Sequence, residues 1–121
     1  MVRAYQFIAE NEALDSNAVN VLDSYIMNHE ELYRRRFMPI ISNIKRKIAK
    51  GVYDHEKAQT LWMYLINDAA KEYVNEFGSQ DEDVKDLFPK ETRQQVAQVI
   101  SDRELENIKS GEYDAPQGTI S

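Results

Sequence analysis

From Asp54 to Phe77 the chain places Ala58, Leu61, Trp62, Leu65, Ile66, Ala69, Tyr73 and Phe77 three and four residues apart. That spacing is the period of an α-helix with one buried face, and no strand can keep such a set on one side. Asp54 stands where a side-chain oxygen can take the free N–H groups of the first turn, and Gly78 stands where a helix stops. Met63, Ala70 and Val74 widen the apolar arc at one edge beyond what a single neighbouring helix covers. Either several helices surround it or a second chain does.

The residues before this helix supply its neighbour. Val19, Leu22, Tyr25, Ile26, Leu32, Tyr33, Phe37, Ile40, Ile44 and Ile48 follow one slowly drifting helical stripe, with Asp15 and Ser16 as candidate N-caps. Pro39 interrupts it, because proline has no N–H to donate and its ring clashes with the preceding turn, so a kink or break is expected near Arg36 to Met38. Lys50-Gly51 then ends the helix, and the three-residue turn Gly51 to Tyr53 makes the two helices antiparallel neighbours.

Outside this pair the pattern is thinner. Val2 to Leu14 has a rough helical spacing and is read as a short first helix. Ser79 to Asp86 is acidic and polar, a solvated loop, after which Val84, Leu87 and Phe88 dock a short turn ahead of Pro89. A last helix is expected to about Lys109 with Val96, Val99 and Ile100 inward. Its line continues through Arg103, Glu104 and Asn107, so its second half is expected to project or to wait for a partner. Residues 1–110 thus form a single all-α domain, a small bundle of four or five helices with a kinked second helix, and 111–121 a flexible tail. Lys50-Gly51-Val52-Tyr53-Asp54 is echoed by Lys109-Ser110-Gly111-Glu112-Tyr113-Asp114, which reads as two similar helix stops.

Composition narrows function mainly by exclusion. With 121 residues there is room for one core, and with no cysteine there is no disulfide framework, thiolate nucleophile or cysteine-ligated metal. No run of 18 apolar residues and no signal-like start occurs, which argues against a membrane protein and for a cytoplasmic location. The formal charge is -6, yet seven of the 15 basic residues (Arg34, Arg35, Arg36, Lys45, Arg46, Lys47 and Lys50) fall between positions 34 and 50 with no acid among them. Arg34, Arg35 and Arg36 recur eleven residues later as Lys45, Arg46 and Lys47, about three turns on, so a straight helix would align them opposite Phe37, Ile41, Ile44 and Ile48 along ~20 to 25 Å. Such a face can solvate the surface and neutralise the protein's own acids, meet an acidic protein, or track nucleic-acid phosphates. No aromatic residues interleave it to stack bases.

No motif assembles a catalytic or metal site. His29 lies on the apolar stripe beside Glu30 and is a candidate base, pH sensor or ligand, but a metalloprotease helix needs a second histidine four residues on, where this chain has Tyr33. A half-buried structural histidine is the plainer reading, and His55 begins a helix with no partner motif. Asp81, Glu82, Asp83 and Asp86 lack a Ca²⁺-loop pattern. Trp62, Tyr73 and Phe77 share the core azimuth, whereas Tyr64 points away and is a candidate contact residue.

Gly51-Val52-Tyr53-Asp54, Lys57-Ala58, Leu61-Trp62, Leu65, Ala69-Ala70-Lys71, Tyr73, Glu76-Phe77-Gly78 and the later Phe88-Pro89 with Arg93 resemble a group of small tailed-phage and prophage proteins without an assigned activity. The resemblance implies a viral or mobile-element origin, and hence the cytoplasm of a host cell, and carries no functional residues with it. The expectation from sequence is therefore a non-enzymatic interaction protein without cofactor or metal. It is expected to self-associate or to bind a protein through Met63, Tyr64, Ala70, Val74 and Arg103, with nucleic-acid binding along the basic face as the alternative.

Overall fold

The computed structural model describes residues 13–78 and 83–113, and everything in these two stretches is helix, turn or short connection. Helix α1 (Ala13–Asn28) is followed by α2 (Glu30–Leu32), a π-helical segment (Tyr33–Phe37), α3 (Met38–Ala49), α4 (His55–Phe77), the single turn α5 (Val84–Leu87) and α6 (Lys90–Lys109). The π segment joins α2 and α3 without a break, so the described chain forms five helical rods and an all-α bundle. The expected first helix over Val2–Leu14, apart from Ala13 and Leu14 at the start of α1, and the greater part of the expected tail lie outside the described residues. Helix α1 is already formed at Ala13, so Asp15 and Ser16 are interior residues rather than N-caps.

The second helix of the sequence reading is divided at a place the apolar stripe conceals. His29 is extended (φ -107°, ψ 106°) and its Nδ1 accepts from the Leu32 N–H at 3.3 Å, so the histidine caps a new helix. The distortion expected near Arg36 to Met38 takes the form of a π segment directly before Pro39. Just ahead of it the Met38 N–H reaches back five residues to the Tyr33 carbonyl, the bond of a π turn. In an unbroken α-helix the Pro39 ring would press on the Arg35 carbonyl, and the wider turn relieves that pressure while φ and ψ stay helical through Phe37 and Met38. The same turn stacks Tyr33 on Phe37, with centroids 5.5 Å apart and planes 16° from parallel.

The closest packing in the bundle is that of α6 against α4 and α1, not that of the hairpin formed by α3 and α4. Ala58, Ala69 and Ala70 on α4 and Ala97 and Ser101 on α6 are all buried, and small residues let helix axes approach. Trp62, Leu65 and Ile66 are fully buried with Leu22, Ile26, Val96 and Ile100, and the Phe37 ring tilts over Trp62 at 5.3 Å. The broad apolar arc of α4 is thus filled from within the chain: Ala70 is fully buried and Val74 is 9% exposed. Phe77, expected inside, is 60% exposed, with its ring against Tyr73 at 5.0 Å and edge-on to Tyr25 at 6.2 Å. Gly78 ends α4 in an extended rather than left-handed conformation.

The inner line of α6 also differs from the expected one. It runs Val96, Ile100, Glu104, Ile108 at four-residue intervals, leaving Val99 44% exposed. The second half of the helix does not project: Ser101, Glu104 and Ile108 are all buried. Both echoed sequences end helices in the same way. The Gly51 N–H bonds the Ile48 carbonyl and that of Val52 the Lys47 carbonyl, and Gly111 and Glu112 repeat this with Ile108 and Asn107, each glycine having positive φ (73° and 86°). The tail expected from Gly111 therefore starts with three ordered residues, and Tyr113 packs on the core.

His29→Ala is expected to lower unfolding stability by about 1 kcal/mol, and His29→Asn to recover most of it, because asparagine caps equally well. Urea denaturation of the three proteins checks this, and equal losses in both variants would show that the ring rather than the cap matters.

Candidate contact surfaces and the polar core

The cations between 34 and 50 are not one face. A π turn takes up one residue more than an α turn, so residues beyond it are rotated by up to ~100° from the straight-helix position, and the eleven-residue repeat loses its alignment. Arg34 pairs with Glu30 at 2.7 Å and Arg35 with Glu31 at 3.7 Å, both one turn earlier and exposed. Arg36 crosses to Asp68 on α4 in a close ion pair. Lys45 turns the other way and donates to the Tyr113 carbonyl at 3.0 Å. Among the described residues Arg46, Lys47 and Lys50 have no ionic partner.

Lys47 belongs to a cleft of about 340 Å³ between the end of α3 and the start of α4. Ile44, Ala58 and Leu61 are its apolar lining, Asn43 and Thr60 its neutral polar lining, and Lys47 and Lys57 its basic lining. Asp54 contributes one carboxylate, already engaged as the α4 N-cap by the Lys57 N–H at 3.1 Å. Tyr64, one turn beyond Thr60 on α4, is 58% exposed. The cleft is lined from both helices and from the turn that joins them, and the Phe37 ring meets Trp62 beyond it.

Tyr53, from the turn itself, closes one end of this cleft. Its hydroxyl lies 2.9 Å from His55 Nδ1, and His55 Nε2 lies 3.8 Å from an Asp102 carboxylate oxygen. Burial, then the charges of Asp102 and Asp54, push the Tyr53 phenol above its ordinary value. The line Tyr53, His55, Asp102 joins three residues that no local motif connects, since Asp102 comes from α6. At 3.8 Å the second contact is an ion pair at most and not a hydrogen bond.

The expected partner-binding residues are dispersed. Ala70 and Val74 are internal, Met63 is half-buried against the core, and only Tyr64 is freely exposed. Arg103 is committed within the chain, holding both oxygens of Asp23 on α1 at 2.9 and 3.0 Å and an oxygen of the neighbouring Glu104 at 2.7 Å. Glu104, 3% exposed, also accepts from the Asn107 amide at 3.3 Å and from the Tyr113 hydroxyl in a close hydrogen bond. Burial opposes the Arg103 charge, but the bonds and charges of Asp23 and Glu104 outweigh it and raise its pKa. Burial and then the Glu104 carboxylate raise that of Tyr113. His29 contributes a cap and a ring contact to Tyr25 at 5.3 Å. Among the described residues no three of His, Asp and Glu gather as a ligand set, and no helix is long and apolar enough to cross a membrane. Compared with protein-family models, curated proteins and solved structures, the chain matches none.

Arg103→Leu removes the partner of a buried carboxylate, a loss of ~3 to 5 kcal/mol when both groups are fully buried. Because the Arg103 side chain is 36% exposed, a smaller loss of about 2 to 3 kcal/mol is expected in denaturation at neutral pH. Tyr113→Phe deletes one hydrogen bond to Glu104 and is expected to cost about 1 kcal/mol. It also changes the alkaline limb. A phenol whose folded pKa is raised contributes stability fully present below its unfolded value of 10.0. That contribution is lost as pH rises through the folded value. Wild-type stability should therefore fall above pH 10, and less steeply in the variant; identical alkaline slopes would remove Tyr113 from that account.

Proposed function

We propose that this is a small non-enzymatic contact protein that binds a protein partner through the cleft between α3 and α4. The observation that carries the reading is the apolar lining of Ile44, Ala58 and Leu61 beside Lys47 and Lys57, two ammonium groups with no ionic partner among the described residues. A segment presenting an apolar side chain flanked by carboxylates meets both halves of that surface, burying hydrocarbon while the charges set orientation. Exposed Tyr64 extends the contact area along α4. The resemblance of Gly51 to Gly78 to small tailed-phage and prophage proteins supports an origin in a mobile element, and with it a place in the host cytoplasm.

The other surfaces weighed from the sequence offer less. The widened edge at Ala70 and Val74 and the second half of α6 are used up inside the bundle. Nucleic-acid binding would draw on Arg46, Lys47 and Lys50, because Arg34, Arg35 and Arg36 already face Glu30, Glu31 and Asp68. Three cations without an ionic partner among the described residues, on a protein of net charge -6, give a polyanion little to hold.

A fluorescent helical peptide built from leucine and glutamate tests the reading by anisotropy. Binding in the range of ~10 to 100 µM, of the order expected for a small transient contact, should weaken at least tenfold in Lys47→Glu/Lys57→Glu. No binding at millimolar protein, or binding indifferent to that double substitution, would exclude the cleft.

A further inference from the structure

The surface of the protein also carries the complement of its own cleft. At the other end of α4, the one-turn helix α5 presents Leu87, 38% exposed, four residues from Asp83 and next to Asp86, both exposed. The turn is a formed unit and not a loose chain. Asp83 caps it through the Val84 N–H at 2.7 Å, and Asp86 returns a bond to the Asp83 N–H at 3.1 Å, a reciprocal capping box. The Asp83 carboxylate also takes the Asp86 N–H, and both carboxylates stay exposed. Leu87 stands on the side of the turn that carries Asp83 and Asp86, with the exposed Lys85 about 160° away around the helix, and the cleft sets Leu61 between Lys47 and Lys57 with Asp54 also in its lining.

A chain cannot bring the two together by itself. From Lys57 to Phe77 α4 rises by ~30 Å, and α5 lies beyond that end. The overall charge of -6 makes copies of the chain repel on average, so they meet only where opposite local charges face each other. We propose that the occupant of the cleft is the α5 turn of a second copy of this chain, with Leu87 on Leu61 and Ile44, and Asp83 and Asp86 facing Lys47 and Lys57. This rests on the reading of the cleft as a protein-binding surface. The contact joins two different patches and is therefore head-to-tail, capable of growing beyond a dimer.

Sedimentation velocity of the full chain over a concentration series tests it. Wild-type protein is expected to show a weight-average mass rising with concentration in low salt and returning to the monomer mass in 1 M salt, where charges are screened within ~3 Å. Lys47→Glu/Lys57→Glu, which has an acidic cleft and an acidic turn, should be monomeric, as should Asp83→Lys/Asp86→Lys, in which both are basic. Mixing these two monomeric variants should restore association, since each then offers the other a complementary pair. Asp83→Asn/Asp86→Asn keeps side chains able to cap α5, so a drop of at least fivefold in its association constant would come from charge and not from lost folding. A wild type that stays monomeric at every concentration, mass that grows with added salt, or mixed variants that remain apart would each overturn the proposal. If the leucine–glutamate peptide still binds the cleft in that event, only the identity of the occupant has failed.

Discussion

Glu104 is a carboxylate almost removed from water in the middle of the best-packed helix, and the bundle is arranged so that its charge is met. An unpaired charge at that depth would cost several kcal/mol, a large part of the stability of a domain this size. Arg103 supplies the counter-charge and ties it to Asp23 on α1, Tyr113 brings in the end of the chain, and Lys45 holds the Tyr113 carbonyl from α3. Three helices and the C-terminal turn are thereby registered by one polar cluster, where hydrophobic contacts alone would allow the rods to slide. The apolar layers around Trp62 and Ile100 supply most of the driving force, and the cluster selects among the ways they can pack.

Helix α4 could be read from the sequence because its boundaries and its interior agree: an aspartate cap, three- and four-residue apolar spacing, and a stop at Gly78. The short turn and both glycine-terminated stops could be read for the same reason, since positive φ at Gly51 and Gly111 is a local demand. What could not be read was set by tertiary choice. The line Val96, Ile100, Glu104, Ile108 contains a carboxylate, and periodicity treats a carboxylate as outward-facing unless its partners are known. Those partners are Arg103, which is adjacent and so ambiguous, and Tyr113, which sits past a helix stop. The break at His29 was hidden because the apolar stripe continues across it; the signal was the histidine itself, an acceptor followed by Glu30 and Glu31 in the first turn of the new helix.

The contact surfaces followed a similar course. Tyr64 was visible as an aromatic residue off the core azimuth, and it is exposed. Lys47 was visible as part of the basic block, but its separation from Arg34 and Arg35 depends on a helix geometry that sequence spacing does not encode. Lys57 and Leu61 were assigned to a helix and not to a site, because the cleft they line forms only when α4 packs beside α3. The surface proposed to take a partner is thus made between two helices that the sequence shows only one at a time.

The π segment decides how one rod carries both its arginines and its proline. A π turn holds one residue more than an α turn. Here it contains three consecutive arginines, of which two point to solvent and one reaches Asp68. An unbroken α-helix over the same residues would press the Pro39 ring on the Arg35 carbonyl, so the wider turn lets one rod carry a proline between the histidine cap at His29 and the glycine stop at Gly51.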